Sequence, residues 1–226
     1  YAESGGQVSD TGIISNENFE AKIEKVRKIS GLMVHKIIVS KGKINNGDLV
    51  ELVVDANRRK SIAANHSATH LMHQALRSIL GSHVEQKGSM VNSEMFRFDF
   101  SHYSKLSEEE LRKVEQFVND RVLEKIPLKE YRDIDYNEAL KKGAIALFGE
   151  KYGEEVRVVS MGKYEADAAK ARYSTELCGG THVTRTGDIG TFRVISEGAV
   201  ASGVRRIEAT TAKGAIEYFN SKDEIL

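Results

Sequence analysis

An abrupt change in the spacing of apolar residues at Arg58-Arg59-Lys60 divides the chain into two parts and constrains the fold more than any other feature. Before this point the sequence contains three short strand-like stretches, at residues 21–26, 33–39 and 49–54. Glycine-containing turns such as Ser30-Gly31 separate them, and short strands joined in this way are typical of a small barrel or curled sheet. We therefore predict a small N-terminal β-barrel over residues 1–57, with a structural or positioning role.

After this point the apolar spacing becomes helical, with a single face formed by Ala64, Ala68, Leu71, Ala75 and Ile79. Gly81 is suited to end this helix, and residues 107–110 (SEEE) form a capping box that opens a second helix before Pro127. Strand-like or short helical patterns follow at residues 95–100, 137–142, 156–161, 191–195 and 205–210. Residues 58–226 are therefore predicted to form an α+β domain.

The composition excludes several classes of protein. The chain has 226 residues, 33 basic and 33 acidic, so it has no net charge with which to bind nucleic acid over a broad basic surface. One cysteine allows no intramolecular disulfide and favours a reducing compartment, so we expect a cytoplasmic protein. No apolar run reaches the roughly 18 residues that a membrane span needs. Because the chain starts without methionine and directly with turn residues, we expect it to be part of a longer protein.

Two pairs of possible metal ligands stand out. His66 and His70 are four residues apart on one helical face, and Cys178 and His182 are four residues apart around two glycines. Three imidazoles and one thiol suit zinc, so the sequence predicts a Zn²⁺ site between a helix and a loop. Residue 67 is serine, which excludes the HExxH motif of metalloproteases.

Other interpretations of these residues remain open at this stage. Histidines beside an apolar stripe are often packing residues, and a buried cysteine can act as a small hydrophobic residue. His73 lies near the same helical face and is a possible substitute ligand or a partner of the ligands. Cys178 could instead be a nucleophile activated by His182 or His66, but that interpretation leaves the paired helix histidines unexplained.

Longer motifs resemble a known family. Residues 66–70 (HSATH), 81–89 (GSHVEQKGS) and 176–182 (ELCGGTH) are similar to the editing region of the alanyl-tRNA synthetase family and to the related free-standing alanyl-tRNA deacylases. Residues 1–12 resemble the glycine-rich start of the barrel that precedes this region, and residues 201–209 resemble the strand after the site.

The resemblance implies hydrolysis of the ester that joins serine or glycine to alanine-specific tRNA. It also implies the acceptor end of that tRNA and the remaining domains of the synthetase as partners, with no DNA and no membrane. The ATP-dependent aminoacylation core is absent from the sequence. The runner-up functions are a zinc-stapled tRNA-binding module without hydrolytic activity and a free-standing deacylase that edits in trans; a thiol hydrolase built on Cys178 is a third class.

The chemistry of editing suggests roles for further residues. An alanine pocket cannot strongly reject serine, whereas a second site that requires a polar contact can reject alanine. Thr69 and Gln86 are our candidates for that contact. The related editing site of threonyl-tRNA synthetase has an acidic residue two positions before its cysteine, where Glu176 stands here, so Glu176 is our candidate base. Arg205 and Lys87 are our candidates for binding tRNA, since cationic side chains contact phosphates.

Overall fold

The computed structural model describes residues 1–146, 152–162 and 172–223, except the side chains of residues 172, 173 and 223. In chain order the elements are β1 (Gly12–Asn16), β2 (Phe19–Ile29), β3 (Leu32–Gly42), β4 (Glu51–Val54), α1 (Ala56–Leu80), β5 (Gln86–Val91), β6 (Phe96–Ser101), α2 (Glu108–Leu123), β7 (Leu128–Asp135), α3 (Tyr136–Lys141), β8 (Glu155–Gly162), β9 (Arg172–Leu177), a 3-10 turn (Thr186–Ile189), β10 (Phe192–Ala201), β11 (Val204–Thr211) and α4 (Ala212–Asp223). This mixture of helices and sheets confirms the α+β character.

The first four strands form one antiparallel sheet in the order β3-β2-β1-β4. The hairpin expected at Ser30-Gly31 is present, and both residues have positive φ, as a tight two-residue turn requires. Strands β3 and β4 lie at the two edges of this sheet, so closure into a barrel stays a prediction. The division of the chain into domains at residue 57 also stays a prediction.

Helix α1 packs against the second sheet, whose order is β10-β11-β6-β5. Alternation along β6 turns Phe96, Phe98 and Phe100 into the core, where each is fully buried. The predicted helical face is confirmed, because its members from Ala64 to Ala75 are buried. The helix starts at Ala56, before Arg58, because Asp55 caps it by accepting a hydrogen bond from the Arg58 amide.

The remaining elements bring the cysteine segment beside α1. The capping box of α2 forms as expected between Ser107 and Glu110, and the helix ends at Leu123, ahead of Pro127. Strands β7, β8 and β9 form a third, antiparallel sheet, and β9 contacts α1. Our sequence interpretation missed β1, β5, β7, β9, the 3-10 turn and α4. None of the helices in the described ranges is both long and apolar enough to cross a membrane.

The glycine-rich start of the chain packs against β5. The Val8 amide donates to Val91 O at 3.0 Å, and the Val91 amide donates to Gly6 O at 2.8 Å. A Cβ atom on Gly6 would overlap Ser89, so this close approach requires glycine. The segment is thereby placed beside the residues that follow on α1 and β9.

Candidate metal centre and cavity

Helix α1 and the turn after β9 bring the four expected ligands together. His66 and His70 lie one turn apart on α1 and are 7% and 2% exposed. Cys178 directly follows β9, and Gly180 lies so close to α1 that a Cβ atom there would overlap the His66 ring. Glycine at position 180 therefore allows the turn to reach the helix, which brings His182 to the same point.

The four side chains are close enough together to hold a single metal ion. The ligand atoms of His66, His70, Cys178 and His182 all lie within 4.8 Å of one another. The Cys178 sulfur is 3.5 Å from His66 Nε2 and 3.3 Å from His182 Nε2. Zn–S bonds of about 2.3 Å and Zn–N bonds of about 2.0–2.1 Å at tetrahedral angles place sulfur and nitrogen about 3.6 Å apart. The two sulfur–nitrogen distances are close to this value, so the cluster could hold a metal ion.

Each imidazole has a different polar group beside its Nδ1 atom. His66 Nδ1 donates to Gln7 Oε1 at 2.7 Å, and His182 Nδ1 lies 3.1 Å from the Ser67 hydroxyl. His70 Nδ1 lies 3.5 Å from Glu176 Oε2. Ligating histidines in proteins are commonly oriented in this way, with the second ring nitrogen held by a carbonyl, hydroxyl or carboxylate. The pattern leaves the Nε2 atoms for the ion.

Burial keeps these imidazoles in the form that binds metal. Burial, with the charge of a protonated His70 as a smaller cause, lowers the pKa of His66 to about 3. Burial also lowers the pKa of His70 and takes that of His182 well below its usual value. Neutral imidazole is the ligating form, so the three rings need not release a proton before binding near pH 7.

Arg157 on β8 holds the turn that carries the cysteine. Its guanidinium donates to Cys178 O at 3.1 Å and to Gly180 O at 2.6 Å, and it forms an ion pair with Glu130 on β7. The Cys178 amide in turn donates to Arg157 O at 3.1 Å. These contacts fix the backbone of the turn to the third sheet.

A cavity of about 120 Å³ lies against the cluster. His66, His70 and Cys178 form part of its wall. Thr69 and Gln86, the two residues expected to recognise the substrate, also line it. The Thr69 hydroxyl donates to Asn65 O at 2.8 Å, and Gln86 Nε2 donates to Ser89 Oγ at 3.3 Å. Both side chains therefore present acceptor oxygens that these bonds leave available.

Glu176 is buried beside His70 and His73. It is 2% exposed and is not among the described residues that line the cavity. His73 Nδ1 donates to its Oε1 at 3.0 Å. Burial alone would raise the pKa of Glu176, but His70 and His73 outweigh that effect and lower its pKa to about 2. Glu176 thus stands as an ionised acceptor between two histidines, and His73 is a partner of the cluster rather than one of the four ligands.

The two residues expected to bind tRNA lie outside the cluster. Arg205 on β11 forms an ion pair with Glu197 at 2.6 Å, while neighbouring Arg206 forms one with Asp99 at 2.6 Å on the opposite face. Lys87 immediately follows Gln86 and contacts Glu85 at 3.0 Å.

Comparison with known proteins finds families that are similar to the segments forming this site. Residues 156–208, which include Cys178 and His182, match the family described as Threonyl and Alanyl tRNA synthetase second additional domain. Residues 1–58 match the family described as tRNA synthetases class II (A). An alanine–tRNA ligase of Sinorhizobium medicae is 50% identical over 99% of the chain. The chain is related to the alanyl-tRNA synthetases.

Other alanine–tRNA ligases give the same result. Those of Mesorhizobium japonicum and Clostridioides difficile are 52% and 50% identical over 100% of the chain. The chain spans about a quarter of the length of these relatives, between 25% and 26%. The resemblance to alanyl-tRNA synthetases inferred from the three sequence motifs is therefore confirmed.

Three residues that position the cluster were not anticipated. Gln7 lies in the glycine-rich start that resembles the alanyl-tRNA synthetases, but nothing in its sequence context indicated contact with His66. Ser67 lies inside the HSATH motif, where a serine carries no sequence signal for contact with His182. Arg157 is one cation in an alternating strand, and no sequence signal distinguishes it from its neighbours.

Proposed function

We propose that this chain hydrolyses the ester that links serine or glycine to alanine-specific tRNA. The observation that carries the proposal is the His₃Cys cluster in the wall of a small cavity, in a chain related to alanine–tRNA ligases. Such an activity is warranted chemically, because an alanine pocket discriminates poorly against serine or glycine.

The cluster is proposed to bind Zn²⁺. His66, His70, Cys178 and His182 would hold the ion, since three imidazoles and one thiolate are a donor set that zinc favours. When bound, zinc supplies positive charge and a fixed geometry beside the cavity. Gln7, Ser67 and Glu176 would orient three of the ligands through their Nδ1 atoms.

Thr69 and Gln86 are proposed to recognise the serine hydroxyl. Both line the cavity, and both carry oxygen acceptors. A site that hydrogen-bonds a hydroxyl discriminates against the analogue without one, because its polar groups are then left unpaired. This contact would therefore favour Ser-tRNA over correctly formed Ala-tRNA, and it would give no advantage to glycine, which also lacks a hydroxyl.

The groups around the attacking water form a separate part of the proposal. Glu176 is the candidate base that the family resemblance suggests, but its carboxylate lies against His70 and His73 rather than the cavity. This position supports a positioning role through His70. A polar group on the cavity wall or the terminal hydroxyl of the RNA is then better placed to assist the water.

The partners and domains follow from the same proposal. The acceptor end of alanine-specific tRNA would be bound with the help of Lys87 and Arg205, in the cytoplasm and as part of a larger synthetase. We propose residues 1–57 as the small β-barrel and residues 58–226 as the editing domain. The hydrogen bonds of Gln7 join these two parts at the metal cluster.

One observation favours a second function. Four protein ligands complete a tetrahedron, whereas a catalytic zinc normally keeps one position open for water. A tRNA-binding module stapled by zinc, without hydrolytic activity, is therefore the alternative. A free-standing deacylase acting in trans and a thiol hydrolase using Cys178 are further alternatives.

Deacylation of purified charged tRNA tests these functions. The 226-residue chain is incubated with alanine-specific tRNA carrying serine, glycine or alanine, and release of the amino acid is followed. We expect faster loss of serine than of alanine, and loss of glycine tests the part of the proposal that does not depend on a hydroxyl contact. Binding without hydrolysis would support the zinc-stapled module instead. Full zinc content in an inactive Cys178→Ala variant would contradict the ligand assignment and favour the thiol hydrolase.

A further inference from the structure

The cavity can accept an amino acid but not the nucleoside attached to it. Its volume of about 120 Å³ is well below the roughly 300–1,000 Å³ of pockets that enclose drug-sized molecules, and a nucleoside is of that size. A substrate that joins an amino acid to the 3′ end of RNA must therefore place its terminal nucleobase outside the cavity, against the residues that surround it.

Two tyrosines, Tyr1 and Tyr152, are among the described residues that line the cavity, and a second aromatic ring supports Tyr152. Tyr152 lines the cavity beside Leu177 and is only half-buried. The ring of Tyr136, the first residue of α3, stacks on it with centroids 5.7 Å apart and an interplanar angle of 25°. Both tyrosines pack against a small apolar cluster that includes Leu177 and Val158.

These contacts give the ring a fixed orientation. Tyr136 supports it by stacking, and the apolar cluster anchors it to the third sheet. Leu177 directly precedes Cys178, so the support for the ring is continuous with the metal-binding turn. Aromatic side chains held in this way bind nucleobases of single-stranded RNA by stacking, with little dependence on sequence.

We propose that Tyr152 is the stacking surface for the terminal nucleobase of an RNA 3′ end whose aminoacyl group enters the cavity. The proposal rests on the proposed function and extends it to the nucleoside. Loss of one base–aromatic stack weakens binding by roughly 5- to 150-fold in Kd.

Fluorescence of an uncharged RNA hairpin tests the proposal. The hairpin ends in single-stranded CCA with 2-aminopurine as the last base, whose emission is quenched on stacking. We expect quenching by the wild-type chain and by Tyr152→Phe, and none by Tyr152→Leu. Tyr131→Leu is the matched control, because Tyr131 packs against the same apolar cluster but is not among the described residues that line the cavity.

A second substrate separates stacking from a loss of folding. Removing the terminal base from the hairpin should weaken binding to the wild-type chain roughly 5- to 150-fold and leave binding to Tyr152→Leu unchanged. Equal weakening of the intact and abasic hairpins by Tyr152→Leu, or absence of quenching by the wild type, would overturn the proposal. Hydrolysis of Ser-tRNA without quenching would overturn the stacking alone, and quenching without hydrolysis would overturn only the proposed activity.

Discussion

Gln7 connects the glycine-rich start of the chain with the two segments that carry the metal cluster, which are α1 and the turn after β9. Its Oε1 accepts hydrogen bonds from His66 Nδ1 at 2.7 Å and from the Thr181 amide at 2.9 Å. Its Nε2 donates to the Thr181 hydroxyl at 2.9 Å. The side chain is 1% exposed, so water cannot easily replace these bonds. Gln7 therefore fixes which nitrogen of His66 faces the cluster.

We expect Gln7→Ala to lower zinc affinity about 10- to 100-fold, the usual effect of removing a group that orients a metal ligand. Competition with a chelator of known affinity measures this change. Gln74→Ala is the control, because Gln74 on α1 bonds only to exposed Ser78 among the side-chain contacts found for it. Equal zinc affinity in the two variants would contradict the role of Gln7.

The turn after β9 contains two glycines that have different surroundings. A Cβ atom on Gly180 would overlap the His66 ring and lie 2.7 Å from Gln7 Oε1, whereas one on Gly179 would meet nothing within 4 Å. We therefore expect Gly180→Ala to bind little zinc and Gly179→Ala to bind as much as the wild type. Metal analysis after purification measures zinc per chain. Full zinc content in Gly180→Ala would show that α1 and the turn can separate without loss of the site.

The segment before β1 offers a similar comparison. Gly5 and Gly6 both have positive φ, which costs about 1–2 kcal/mol for alanine. Only at Gly6 would the added Cβ atom also overlap Ser89 and lie 2.7 Å from its carbonyl oxygen. We expect Gly6→Ala to lower the free energy of unfolding more than Gly5→Ala does, as measured by denaturant titration. Equal losses would mean that the segment does not need to approach β5 closely.

The molecule as a whole could be predicted from its sequence only where signals are local. The helical face from Ala64 to Ala75, the capping box at Ser107 and the turn at Ser30-Gly31 depend on neighbouring residues, and all three are present. The closeness of the two ligand pairs was inferred from their chemistry rather than from any local pattern. The contacts of Gln7 and Arg157 join segments that are distant in sequence, so no local sequence pattern predicts them.

Zinc bound as proposed would link distant segments of the fold. The four ligands come from α1 and from the turn after β9, and Gln7 adds the start of the chain. An ion that binds only the folded chain stabilises it by about 2.7 kcal/mol when free zinc is 100 times its Kd. We expect a chelator to lower the midpoint of thermal unfolding, and added zinc to restore it. In Cys178→Ala neither treatment should move the midpoint as far, because one ligand is missing. A zinc-dependent shift of the same size in that variant would show that zinc stabilises the chain from another site.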